Sequence, residues 1–223
     1  MSGSPSAELD HLVLATPDLA RAVALVRGAL GVQPVPGGRH EGLGTANALV
    51  GLGTAGYLEI IGPDPDGPRP DRPRPFGIDT LTAPRLVTWA ARVRDLDTAV
   101  AAARSAGWDP GTPVDRARTT PDGRRLTWRM TPTQAERLGG TLPFLLDWGT
   151  TTPPAATLPP AATLVELRLR HPDPARVRGA LAALGLGEVP VDAGPAGLTA
   201  VLSAGDHRLV LNPGIAHPNR RTT

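Results

Sequence analysis

A unit made of one strand, an Asp-capped helix and three further strands recurs three times along this chain. That recurrence restricts the fold to a repeated α+β architecture. In the first unit, residues 8–62, Leu9–Ala15 reads as a strand. Asp18 then caps a helix whose apolar period runs to about Leu30, where Gly31 stops it. Strand-like stretches follow at Gln33–His40, Thr45–Leu52 and Tyr57–Gly62, separated by the glycine-bearing loops that hairpins require. Residues 63–84 are rich in proline and read as an extended surface linker.

The second unit, residues 85–150, repeats the order. Leu86–Val93 is a strand, Asp95 caps a helix to Ala106, and strands follow at Thr112–Arg118, Arg125–Met130 and Leu142–Trp148. Pro17-Asp18-Leu19 has its counterpart in Arg94-Asp95-Leu96. After a second proline-rich linker, 151–162, comes a third unit at 163–213. Its strand is Leu164–Arg170, its helix opens at Pro172-Asp173-Pro174 and runs to Leu184, and Val189–Ala193, Leu198–Leu202 and His207–Leu211 complete it. Residues 214–223 read as a disordered tail. Two βαβββ modules therefore pair, and a third follows.

Composition narrows the partners. All 23 basic residues are arginine, set against 21 acidic ones. With no lysine or cysteine and one tyrosine, little titrates between neutrality and high pH, so the pI of about 10.2 reflects missing buffering groups and not a polybasic surface. Aromatic residues make up 3%, too few to line a nucleic-acid strand with stacking platforms. No apolar run is long enough to span a bilayer. Met1–Ala7 lacks the charged start and apolar core of a signal peptide, and cysteine is absent, so the expected location is cytoplasmic. The expected ligand is a small molecule, with neither nucleic acid nor membrane as partner.

Strand alternation selects the site. If Leu12 and Leu14 pack on the helix, His11 and Val13 face the opposite, concave side. Leu58 and Ile60 likewise leave Tyr57, Glu59 and Ile61 on that side. His11 and Glu59 then suit either metal coordination or a proton-transfer pair, and Glu59 alternatively pairs with an arginine for binding only. His40 reads either as a site residue or as an exposed residue between Gly37-Gly38 and Gly42. Asn47 orients a substrate carbonyl or satisfies a turn. Trp128 and Trp148 form a wall for a flat ligand or fill the core. Asp147 is a general base or a backbone partner. Matching Asp173 to Asp18 puts Glu166 opposite His11, but Glu166, Arg168 and Arg170 also read as one solvated strand face, and His171 as part of a helix start. His207 and His217 belong to no recognisable constellation. Neither a phosphate-binding glycine loop nor a nucleophile elbow is present.

Leu9-Asp10-His11-Leu12-Val13, the Asp18 helix and Tyr57-Leu58-Glu59-Ile60-Ile61 resemble the vicinal oxygen chelate superfamily. The segments His40–Asn47, Tyr57–Asp64 and Pro143–Trp148 resemble its glyoxalase-like branch. The resemblance covers residues 8–150 well and the third unit more loosely. It implies one divalent cation (Zn, Ni, Mn, Fe or Mg) whose ligands come from the first and fourth strands of two paired modules, or a cleft without metal. His11 and Glu59 match one ligand pair. In the second module Thr88 stands opposite His11, and Leu146, Asp147 and Trp148 supply no glutamate, so such a metal would need water, substrate or His40.

The implied function is lyase or isomerase proton transfer on a small oxygen-rich substrate. Glu59 would be base or ligand, His11 ligand or electrostatic partner, and His40 with Asn47 would orient the substrate. The alternative is a metal-free protein that sequesters an antibiotic-type molecule, and a third is an assembly role for the last unit. The sequence leaves open whether one chain or a homodimer closes the cleft.

Overall fold

The computed structural model describes residues 6–133, 137–212 and 217–218. The first unit comprises β1 (Glu8–Ala15), α1 (Leu19–Leu30), β2 (Val35–His40), β3 (Thr45–Gly51) and β4 (Tyr57–Pro63). The second comprises β5 (Arg85–Arg92), α2 (Leu96–Ser105), β6 (Val114–Thr119), β7 (Arg125–Met130) and β8 (Phe144–Asp147). Asp18 and Asp95 cap their helices alike, each side chain accepting the backbone N–H three residues on. Gly31 ends α1 in the left-handed region (φ 68°), where a side chain would be strained.

The eight strands close into one barrel in the order β1-β4-β3-β2-β6-β7-β8-β5. Each unit contributes four neighbouring strands, and the seams are β1–β5 and β2–β6, both antiparallel. The cleft is thus closed within a single chain. Alternation divides the side chains between two cores. Leu12, Leu14, Leu58 and Ile60 pack outward under the helices, while Val13, Ile61, Phe144 and Leu146 point into the barrel.

The third unit comprises β9 (Thr163–His171), α3 (Pro174–Ala182), β10 (Val191–Ala193), β11 (Gly197–Ala204) and β12 (His207–Leu211). It keeps the β-α-β-β-β order along the chain but pairs its strands differently. Its sheet runs β10-β9-β11-β12, with the first strand beside the second and third. In the barrel modules the first strand pairs with the fourth. One face of this sheet, through Leu169, Ala200, Leu202, Leu209 and Leu211, joins the outer core beside α1 and α3. The other carries Glu166, Arg168 and Asp192 as ion pairs in solvent. The tail expected at 214–223 lies outside the described residues except for His217–Pro218, which form a short strand, β13, on β12.

The linkers also depart from the expected surface spacers. Within 63–84, Pro75 and Ile78 are buried, and Pro73, Pro75 and Phe76 cover the barrel mouth. Phe76 takes a left-handed backbone (φ 60°), which costs a non-glycine residue on the order of 1 kcal/mol or more. Within 151–162, Pro160 bridges to Gly51, and Ala162 joins the outer core.

Candidate functional site

Glu59 stands at the centre of the barrel interior. It sits on β4, buried at 7% exposure. Asn47, on the neighbouring β3 and two residues from the position opposite Glu59, donates Nδ2–H to Glu59 Oε1 at 2.6 Å. Nε2 of His11 lies 3.7 Å from Glu59 Oε2, and Nε2 of His40 lies 3.6 Å from Oε1. The structure thus brings together His11, His40, Asn47 and Glu59. His40 ends β2, buried in the barrel, and is not the exposed loop residue of the alternative reading.

Behind His11 stands Asp10, a residue that sequence reasoning passed over. Strict alternation turns Asp10 away from His11, towards the helices. The β1–β5 register slips between Leu9 and His11, where two residues on β1 oppose one step on β5. Such a bulge turns adjacent side chains to one side. Asp10 is fully buried, with Oδ1 2.6 Å from His11 Nδ1 and Oδ2 accepting Trp148 Nε1–H at 2.9 Å. Tyr57 also hydrogen-bonds to it. An ionised carboxylate only accepts, so Nδ1 of His11 carries the hydrogen and Nε2 presents its lone pair to the cavity. The available signal was a charged residue in an otherwise apolar strand.

The two titratable rings beside Glu59 are held in defined states. Burial, with Arg118 nearby, pushes the pKa of His40 below the ordinary histidine value, and Glu59 only partly offsets this. Burial and the negative charges of Asp10 and Glu59 push the Tyr57 phenol well above its usual range. Tyr57 stays a phenol and stacks on His11 at 4.7 Å, and Phe144 meets the same imidazole edge-on at 5.4 Å.

The cavity is partly open to solvent, and Tyr57, Arg118 and Phe144 line it together with His11, His40, Asn47 and Glu59. Trp128 and Trp148 both line it, their centroids 5.3 Å apart. Trp148 therefore serves as wall and as clamp on Asp10. Asp147 does not reach this space. The strand turns its side chain outward, where Oδ1 accepts the Gly149 N–H at 2.8 Å. Of the expected site residues only Asp147 lies apart.

A two-module metal centre needs donors from both halves. In the parallel β1–β4 pair Val13 lies opposite Glu59, and in β5–β8 Ala90 lies opposite Phe144. Superposing Asp18 on Asp95 makes Ala90 the counterpart of Val13, so Phe144 replaces Glu59 and Thr88 replaces His11. Neither offers a comparable donor. Glu59 Oε1 is already spent on Asn47, and among the described residues no group of three or more His, Asp or Glu is arranged to hold a metal ion. The donors present do not fit such a centre.

With this geometry in view, the sequence model of a family described as "Glyoxalase-like domain" matches residues 9–185. The chain belongs to that family, and with it to the vicinal oxygen chelate superfamily. No curated protein matches it. Among solved structures, a hypothetical protein from Staphylococcus aureus is similar at a TM-score of 0.61 and 12% identity, over 94% of this chain and 84% of that one. A variant of 4-hydroxymandelate synthase from Streptomyces coelicolor gives 0.52 and 15%, over 95% of this chain and 62% of that one. Methylmalonyl-CoA epimerase from Mycobacterium tuberculosis gives 0.46 and 24%, over 70% and 96%. For the first two of these structures, at such identities, the likeness concerns fold alone. No helix of the described residues is long and apolar enough to cross a membrane.

Proposed function

We propose that the barrel cavity binds a small oxygen-rich organic molecule and that Glu59 moves a proton on it, as a lyase or isomerase does. The observation that carries this is a buried carboxylate fixed through one oxygen by Asn47, with its other oxygen facing the Asp10-backed His11. Glu59 Oε2 takes a proton from a carbon next to a carbonyl. The C–H electron pair moves into the new C=C bond, and the charge goes to the carbonyl oxygen. Arg118, held by Asn47, supplies the positive charge facing that oxygen. His11 accepts or returns a proton at Nε2, and Asp10 stabilises the imidazolium meanwhile.

The test is solvent-deuterium incorporation into a panel of 2-oxo acids, 1,2-dicarbonyls and aryl ketones, followed by NMR in D2O. The native protein should exchange at least one of them, and E59Q should exchange it at least ~100-fold more slowly, the lower end for acid–base groups. Phe144 in the counterpart position of Glu59 favours a second reading, a sequestering protein. Tight binding across the panel with no exchange would establish that reading and sink the first.

A further inference from the structure

The substrate class can be narrowed from one buried side chain. Arg118, on β6, is 4% exposed and lines the cavity. Among the described residues its side chain makes one hydrogen bond, from Nη1 to Asn47 Oδ1 at 3.0 Å, and no ion pair. Asn47 stands between it and Glu59, so the guanidinium and the carboxylate are separated by the width of one amide. A buried cation paired only with a neutral amide is costly, and an anion supplied by the ligand removes that cost. The planar fork of arginine matches two carboxylate oxygens at once.

The remaining walls define the rest of the ligand. The chain has one tyrosine, two phenylalanines and four tryptophans. Tyr57, Phe76, Trp128, Phe144 and Trp148, most of that supply, line this one cavity. Aromatic walls of this kind take a flat apolar body.

We propose that the cavity takes a small aromatic carboxylic acid, its carboxylate paired with Arg118 and its ring against the aromatic wall. This rests on the cavity being the substrate site. It also places the carbon next to the carboxylate at Glu59, so that charge released by proton removal spreads onto the oxygens Arg118 already holds.

The test is calorimetric titration of benzoate, phenylacetate and 3-phenylpropionate, each against its neutral primary amide. In the native protein at least one acid should bind about tenfold or more tighter than its amide, as a charge-assisted bidentate pair predicts. R118Q should reduce that preference to less than about twofold, and R118K, which keeps charge but loses the fork, should leave an intermediate value. E59Q should bind the acids at least as tightly as the native protein, because it removes a neighbouring negative charge. Acid preference in a native protein that exchanges no proton, or exchange undiminished in E59Q, would therefore count against the Glu59 reading alone. The proposal is overturned if no acid binds at millimolar concentration, if acid and amide bind alike, or if the preference persists in R118Q. Should R118Q fail to fold by circular dichroism, an unchanged preference in R118K overturns it.

Discussion

At the scale of single residues, the candidate site restricts what each polar atom can do. Asp10 can only accept, so it fixes the tautomer of His11 and leaves Nε2 free in the cavity. Asn at this position presents an amide whose N–H competes for the same imidazole nitrogen, and the tautomer is no longer enforced. We expect D10N to slow deuterium exchange by roughly 10–100-fold and to shift its pH profile, while E59Q removes the exchange at every pH. Equal pH profiles in D10N and the native protein would show that Asp10 does not act through His11. His40 makes a separate prediction about stability. Its pKa is depressed in the fold, so below about 6.5 the unfolded chain binds the proton more readily than the folded one. Its contribution is complete above that pH and is lost as pH falls below it. In denaturant titrations at pH 7.5 and 5.5, the native protein should lose more stability than H40Q. An equal loss would show that burial does not govern His40.

At the scale of elements, two irregularities arrange the candidate site. One is the slip in β1 that brings Asp10 beside His11; the other is in β2, where the β3 register slips between Pro36 and Gly38. A Cβ on the intervening Gly37 would lie 2.2 Å from Asn47 Oδ1 and 2.4 Å from Arg118 Nη1. The missing side chain is what lets that pair form. We expect G37A to lower the unfolding free energy by ~1–3 kcal/mol, the usual cost of overpacking, and to weaken benzoate binding more than amide binding. A variant as stable as the native protein would show that β2 yields easily there. These slips also mark how far the sequence could be read. Period-two alternation placed His11, Glu59 and Val13 on one face, because most of β1 and β4 is regular. It could not place Asp10, because one inserted residue reverses the rule locally. Arg118 escaped for another reason: which edges of β2 and β6 meet is settled only when the barrel closes. Phe76 and the prolines around it looked like linker because proline content reports chain stiffness and not which surface the chain covers.

At the scale of the whole molecule, the third unit determines whether the barrel can exist alone. Its repeat order was legible, since helix caps and strand runs are local, but its sheet order was not, since pairing depends on which edges become neighbours. That sheet serves as a lid on the outer core. α1 contacts β3 and β4 of the barrel and also β11 and β12, and His207 packs over Gly31 at the end of the helix. Further joints lie far apart along the chain. The Ala7 N–H bonds to Leu184, the Leu86 N–H to Asn212, and Leu198 reaches Gly140 beside β5. Each apolar side chain stripped of this cover forfeits about 1.5–3 kcal/mol of burial, and a domain's net stability is only ~5–15 kcal/mol. A few such losses suffice to unfold the barrel, so barrel and third unit should melt together. Scanning calorimetry of the full chain should show one transition whose calorimetric and van't Hoff enthalpies agree. A chain ending at Thr152 should be aggregated or lack the cooperative transition. Two resolved transitions, with a soluble truncated barrel that still binds benzoate, would instead make the third unit an appended domain that leaves the site's stability untouched.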